Sequence, residues 1–159
     1  MKAYERPLNQ ENPHRSGPDT CDHKYFVRTG NTAYGIQNLA SDPYTGYWFA
    51  AVYRGHKSQN PNYSLFAIDG SKPAVMQDLE GFDTPTRGEV LFLSEDGECD
   101  AKTGIRGWQV DYGTTGFCPI GNGDYYISHP DGGEGGKHQS STVKLYKWTG
   151  DPKQPFALQ

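Results

Sequence analysis

One plan of strands and turns occurs twice in this chain. In the first copy, the apolar segment 35–40 runs into a turn at 42–46, and a second apolar segment, 47–53, precedes a polar loop and a third strand that ends before Gly70. The second copy begins at Gly116, turns at Asn122-Gly123 and ends at Gly150. A single small twisted sheet cannot cover its own aromatic faces, so the repeat predicts sheets stacked against one another.

The composition favours short strands over helices. Aromatic residues make up 13 % of the 159 residues, and the chain has 20 Gly and 11 Pro but no stretch of sustained helical periodicity. We therefore predict an all-β fold of antiparallel sheets, with an extended arm at 1–23 and one domain at 24–159. The domain would contain two β-propeller-like blade units, 34–79 and 113–158, and an insert at 80–112.

Two blades cannot close a propeller, and three arrangements follow from that. Partner chains could complete the ring, the chain could be part of a longer protein, or the sheets could fold into a sandwich instead. Further strands are predicted at 24–29, at 89–93 and at 105–112. Segment 74–79 is expected to form a fourth, outer strand of the first unit, and 154–158 the same strand of the second.

Charge and hydropathy argue against several classes of partner. The net charge is −4 and the basic residues are scattered, so nucleic acid is not an expected partner. No apolar run approaches the roughly 20 residues of a membrane span, so no membrane is expected. No signal peptide is visible, which leaves localisation open.

The three cysteines are Cys21, Cys99 and Cys118, and no pair of them has metal-ligand spacing. Reduced thiols are the expectation, with one disulfide as the alternative. Cys118 lies within an apolar strand, where a thiol is expected to be buried and inert. No cofactor is predicted.

The sharpest prediction of a site rests on the polar loop between the second and third strands of each unit. If the repeat is correct, the two loops lie on one face of the molecule, and nearby aromatics could stack on a ligand. Trp108 is expected at the edge of a pocket. The predicted ligand-binding residues are Tyr53, Arg54, His56, Lys57, Arg106, Trp108, His129, Asp131 and His138.

Two other interpretations of these loops stay open. Long surface loops are often polar simply because they contact water. The histidines and Asp131 are suitable metal ligands, but their spacing forms no local motif, so no metal site is predicted. No nucleophile motif such as G-x-S-x-G is present either.

The segments PHRSGPDTCDHKYFVRTGNTAYGIQNLASDPYTGYWFAAVYRGHKSQNPNYSLFAIDGSKP and GIRGWQVDYGTTGFCPIGNGDYYISHP resemble the all-β C-terminal portion of uncharacterised bacterial proteins. Some of those proteins are associated with calcineurin-like phosphoesterases. The D-x-H and G-N-H-[DE] motifs of a metallophosphoesterase are missing here. The resemblance therefore implies an accessory part rather than the catalyst.

We expect a non-catalytic binding or interaction module that recognises a glycan or another small polar ligand through loops on one face. One alternative is the accessory part of a hydrolase or phosphoesterase whose catalytic residues lie outside this chain, in a missing N-terminal domain. The other is a structural module that assembles as a homo-oligomer.

Overall fold

The computed structural model describes residues 23–30, 32–132 and 139–159. No helix occurs in these ranges, and the all-β prediction is confirmed. The strands are β1 (Tyr25–Phe26), β2 (Thr32–Asp42), β3 (Tyr47–Arg54), β4 (Leu65–Asp69), β5 (Val75–Leu79), β6 (Thr86–Val90), β7 (Glu98–Cys99), β8 (Arg106–Gly107), β9 (Phe117–Gly121), β10 (Asp124–Gly132), β11 (Gln139–Trp148) and β12 (Phe156–Leu158).

The first sheet contains β2, β3 and β4 in that order, and all its pairs are antiparallel. The turn between β2 and β3 is the predicted one. Gly46 has φ of 76°, which favours glycine, and the Asp42 carboxylate accepts hydrogen bonds from the backbone N–H groups of Tyr44 and Thr45, each at 3.1 Å. The turn therefore depends on both its first and its last residue.

The second sheet has the order β12-β11-β10-β9, again antiparallel. Its β9–β10 hairpin turns at Asn122 and Gly123, whose φ values of 53° and 75° are those of a type I′ turn. A Cβ atom on Gly123 would lie 2.8 Å from Cε1 of Tyr44. The second unit's turn therefore packs closely on Tyr44 of the first unit's turn, and the positive φ at position 123 also favours glycine.

The two sheets pack face to face through strand β3, whose side chains alternate between two cores. Phe49 and Ala51 face the second sheet, whereas Ala50 and Val52 pack on the opposite side with Phe66. All four of these β3 residues are buried, as predicted for a strand covered on both faces. The buried residues of the core between the sheets are Phe49, Ala51, Leu65, Ala67, Trp108, Phe117, Tyr125, Ile127, Tyr146 and Phe156.

A buried polar contact also joins the sheets. The Tyr125 hydroxyl on β10 donates a hydrogen bond of 2.5 Å to Asp42 Oδ2 at the end of β2. The Thr45 hydroxyl donates to the same oxygen at 2.7 Å. Asp42 is only 1 % exposed, so these donors replace the water that its carboxylate would otherwise bind.

Segment 74–79 does contain a strand, β5, but the prediction that it forms the fourth strand of the first unit is wrong. Strand β5 pairs with β6 in a third sheet of order β1-β6-β5, and not with β4. The outer edge of β4 is already occupied, because Leu65 forms a bridge with Trp108 and Ile68 forms one with Leu93. Segment 154–158 does behave as predicted, since β12 pairs with β11.

The minor strands also differ in extent from their predictions. The strand predicted at 24–29 is limited to β1, which runs parallel to β6. The strand predicted at 89–93 lies earlier, at β6, and that predicted at 105–112 is limited to β8, which pairs with β7. A Cβ on Gly107 would lie 2.7 Å from the Leu65 carbonyl oxygen, so the insert crosses β4 at a glycine.

The described sheets form no closed barrel. Both units contribute to one core, which is the packing expected of a sandwich and also of two neighbouring propeller blades. Completion of a ring by further blades stays a prediction.

Candidate functional site

Inward-facing positions continue along β3 and β10 beyond the buried core. Ala51 and Ile127 both lie close to Gly113, since a Cβ on Gly113 would be 4.0 Å from Ala51 Cβ and 3.5 Å from Ile127 Cγ2. Two residues further along each strand, on the same face, come Tyr53 and His129. We name this region the open end and define it by Tyr53, Tyr112, His129 and Tyr146.

Three rings of the open end form one aromatic group. The His129 ring stacks on Tyr146 with centroids 5.7 Å apart and an interplanar angle of 19°. Tyr112 stacks on Tyr146 at 5.3 Å and 26°, and meets His129 at 5.4 Å. His129 Nε2 is 2.8 Å from the Tyr146 hydroxyl oxygen, so a hydrogen bond fixes the orientation of both rings.

The three stacked rings of the open end, Tyr112, His129 and Tyr146, are uncharged at neutral pH. Burial lowers the pKa of His129, and the nearby Lys144 cation lowers it further. Burial raises the pKa of Tyr112 to about 12, with smaller contributions from Tyr146 and Asp111. A neutral imidazole and neutral phenols can both donate and accept hydrogen bonds, which suits hydroxyl groups of a ligand.

The polar loop of the first unit is tied to the open end. Asn62, at φ of 55°, closes the loop by accepting from the Lys57 N–H at 3.2 Å and donating to the Lys57 carbonyl at 2.7 Å. The Gln109 side chain donates to the Pro61 carbonyl at 3.0 Å, and Tyr112 follows three residues later. Segment 109–112 therefore connects the loop to the aromatic group.

The structure places the predicted loop residues at the surface. Tyr53 is 41 % exposed, His129 is half-buried, and Arg54, His56, Lys57 and Asp131 are exposed. Asp131 is not in a loop, because β10 continues past it and pairs it with Ser140. His138 lies outside the described residues.

Two of the predicted site residues, Trp108 and Arg106, contact other parts of the fold instead of lining a ligand site. Trp108 is 1 % exposed and not at a pocket edge; its indole N–H donates to the Asp151 carbonyl at 3.2 Å, and its ring packs on Trp148. The Arg106 guanidinium donates to the carbonyl oxygens of Glu95 at 2.9 Å and Gly97 at 3.1 Å. It holds the acidic turn of the insert.

Two residues of the open end were not among the sequence candidates, namely Tyr112 and Tyr146. Tyr146 lies opposite Tyr125 in the β10–β11 register and so shares its inward face. Alternation along β11 could have placed it there once that register was known. Tyr112 is the last residue of the insert, and no local pattern indicates its contact with His129.

The prediction that Cys118 is buried is wrong. Cys118 is exposed on β9 with its thiol free, and Cys99 is an exposed free thiol as well. Tyr125 and Ile127 face the core, so their neighbour Tyr126 faces outward, and Cys118 lies opposite Tyr126. Cys21 lies outside the described residues.

Within residues 23–30, 32–132 and 139–159, no group of three or more His, Cys, Asp or Glu side chains is close enough to hold a metal ion. In the same part of the chain, no helix has the length and apolar character needed to cross a membrane.

Comparison of the chain with protein-family models, curated proteins and solved structures found no match in any of the three. The physical arrangement of the residues is thus the basis for proposing a function.

Proposed function

We propose that this protein is a non-catalytic binding module that recognises a glycan at the open end. The observation that carries the proposal is the stacked group of Tyr112, His129 and Tyr146. Strand alternation adds the exposed Tyr53, which lies on the inward face of β3 two residues beyond Ala51. These side chains belong to both units and to the insert, so their arrangement depends on the folded domain.

The chemistry of the open end suits a sugar. A pyranose ring has an apolar face that packs on an aromatic ring and hydroxyl groups that need donors and acceptors at its edge. The phenol and imidazole groups offer both, and the exposed loop residues Arg54, His56 and Lys57 lie near enough in sequence to Tyr53 to contribute polar contacts. The pre-ordered rings would lose little conformational entropy on binding.

We predict that a glycan array identifies a ligand and that Tyr53→Ala weakens its binding by about tenfold, since the loss of one stacking ring costs on the order of 1 kcal/mol or more. His129→Ala should weaken binding to a similar extent. Isothermal titration with the array's best ligand measures both effects. Trp48→Ala is the matched control, because Trp48 is a comparably exposed aromatic on the opposite face of β3.

The same titration has a predicted pH dependence. Because the pKa of His129 is below the ordinary imidazole value of about 6.5, the neutral ring persists to pH values under about 6.5. Affinity should be constant from pH 8 to about 6.5 and should fall in more acidic solution. An array without a hit, or a ligand bound equally by Tyr53→Ala and Trp48→Ala, would remove the proposal.

We also propose that the outer face of the second sheet packs on a further blade from another copy. Tyr126 is 49 % exposed and Val143 61 % exposed, and both lie on the face of β10 and β11 that points away from the core. Sedimentation equilibrium should show self-association that Val143→Ser weakens. A monomer at all concentrations would leave the sandwich as the complete assembly.

A further inference from the structure

A second concave site lies between the first and third sheets, away from the open end. It has a volume of about 620 Å³ and is lined largely by apolar side chains from β1, β2 and β3 together with the segment after β4. Volumes of about 300–1,000 Å³ are usual for sites that bind small molecules. We name this site the Trp48 cleft, and the lining residues that matter below are Tyr25, Ile36, Leu39, Trp48, Asp69 and Lys72.

The apolar lining of the cleft is unusually open to solvent. Tyr25 is 50 % exposed, Ile36 48 %, Leu39 52 % and Trp48 46 %. Scattered apolar residues on a surface need no explanation, but these four come from three strands and converge on one concavity. Such a concentration of exposed apolar area indicates a ligand site.

The backbone at Gly70 passes close to the Trp48 ring. A Cβ on Gly70 would lie 3.5 Å from Trp48 Cδ1 and 2.5 Å from the Gly46 carbonyl oxygen. Glycine at position 70 therefore lets the chain after β4 pass against the indole, and the exposed part of the indole lines the cleft. A binding surface that is ordered before the ligand arrives costs less to occupy.

One rim of the cleft is polar and has a defined charge pattern. Hydrogen bonds from Ser71 hold the pKa of Asp69 below its ordinary value, so this carboxylate is ionised at neutral pH. Lys72 Nζ lies 3.3 Å from Asp69 Oδ2 and 3.4 Å from Glu95 Oε1. One cation between two carboxylates leaves a local excess of negative charge, which disfavours an anionic ligand.

Lysine has three N–H donors, and these two contacts use two of them. A ligand atom that accepts a hydrogen bond can therefore reach Lys72 without displacing either carboxylate. Because the rim as a whole disfavours an anion, a neutral acceptor suits Lys72 better than an anionic one.

We propose that the Trp48 cleft binds an uncharged small molecule with a flat apolar ring system and a hydrogen-bond acceptor that points toward Lys72. The ring system lies on Trp48 and Tyr25, with Ile36 and Leu39 against its edges. This site is separate from the open end, because Trp48 and Tyr53 point to opposite faces of β3 and are about 17 Å apart along the strand at about 3.4 Å per residue.

Nile red is a suitable probe because it is uncharged, flat and carries a carbonyl acceptor. We expect its fluorescence to rise on titration to saturation at one dye per chain. Trp48→Ala should raise the dissociation constant by about tenfold or more, while Tyr53→Ala should leave it unchanged. Anilinonaphthalene sulfonate, an anionic dye of similar size, should bind more weakly to the unaltered protein.

Leu39→Ser provides a second variant, since Leu39 is half-exposed and its replacement should weaken dye binding without unfolding the domain. Equal Nile red affinity in Trp48→Ala and the unaltered protein would overturn the proposal, as would tighter binding of the anionic dye. If Trp48→Ala instead reduces the sedimentation mass, a second copy occupies the cleft and the proposal is overturned. Glycan titrations of the same variants report on the open end, so failure at one site is distinguishable from failure at the other.

Discussion

Phe49→Ala should lower the free energy of unfolding by about 3–5 kcal/mol, the usual cost of removing a large buried ring. Phe49 is 1 % exposed at the centre of the core between the sheets. Its ring centroid lies 5.3 Å from those of Phe117 and Trp148 and 5.8 Å from that of Phe156. Because these three rings lie on β9, β11 and β12 of the second sheet, the cavity would weaken the contact that joins the two units.

Guanidinium chloride unfolding followed by circular dichroism measures this effect, and Trp48→Ala is the matched control. Trp48 adjoins Phe49 in sequence, but it faces the other side of β3 and is 46 % exposed. Its replacement should cost under about 1 kcal/mol. Since a small domain has only about 5–15 kcal/mol of stability, Phe49→Ala should shift the midpoint far more. Equal costs for the two variants would mean that the sheets do not pack through Phe49.

The parts of the fold that could be predicted from sequence are those with local causes. Positive φ at Gly46 and at Asn122-Gly123 follows from residue types that tolerate it, and these turns fix two hairpins. The run of apolar residues in β3 likewise predicts burial on both faces, because no polar row alternates with the apolar one. Each of these signals is contained in a few consecutive residues.

The strand that pairs with β5 could not be predicted from a few consecutive residues. Whether Val75–Leu79 pairs with β4 or with β6 depends on which segment occupies the edge of β4, and that segment belongs to the insert. The repeat suggested the wrong answer because β12 does pair with β11, where no insert competes for the edge. Competition between distant segments for the same sheet edge cannot be detected in the local sequence pattern.

The candidate sites also combine residues whose positions follow from local sequence patterns with residues whose positions depend on tertiary packing. Alternation along β3 and β10 accounts for Tyr53 and His129 at one end, but the stacking of Tyr112 needs the path of the insert. The Trp48 cleft was not foreseen as a site, because Tyr25, Leu39 and Trp48 come from three separate strands. Trp108 was predicted to be a site residue but is not one. Its polar sequence neighbours suggested a position at the surface, whereas its bridge to Leu65 places it in the core.

Asp42→Asn should destabilise the protein by about 2–4 kcal/mol at neutral pH, because it removes a charge that accepts several hydrogen bonds in a buried site. The asparagine amide group would present N–H donors to the Tyr125 and Thr45 hydroxyls, which now donate to the carboxylate. Tyr125→Phe removes only one donor and should cost about 1–2 kcal/mol. In a double-mutant cycle, the second substitution should add less to the first than its cost alone.

The cost of Asp42→Asn should also depend on pH. Burial by itself raises the pKa of Asp42, but the hydrogen bonds from Tyr125, Thr45 and the turn backbone outweigh it and leave the pKa below its ordinary value. As the pH falls, the unfolded chain takes up the proton first, near its unperturbed pKa of about 3.9. The stabilisation is therefore complete above about pH 5 and is lost as the pH falls through about 4 toward the lower folded-state pKa. Urea unfolding at pH 7, 5, 4 and 3 should show that the stability difference between the natural protein and Asp42→Asn narrows as the pH falls below about 5. A constant difference down to pH 3 would mean that the carboxylate is not held in its charged form by the fold.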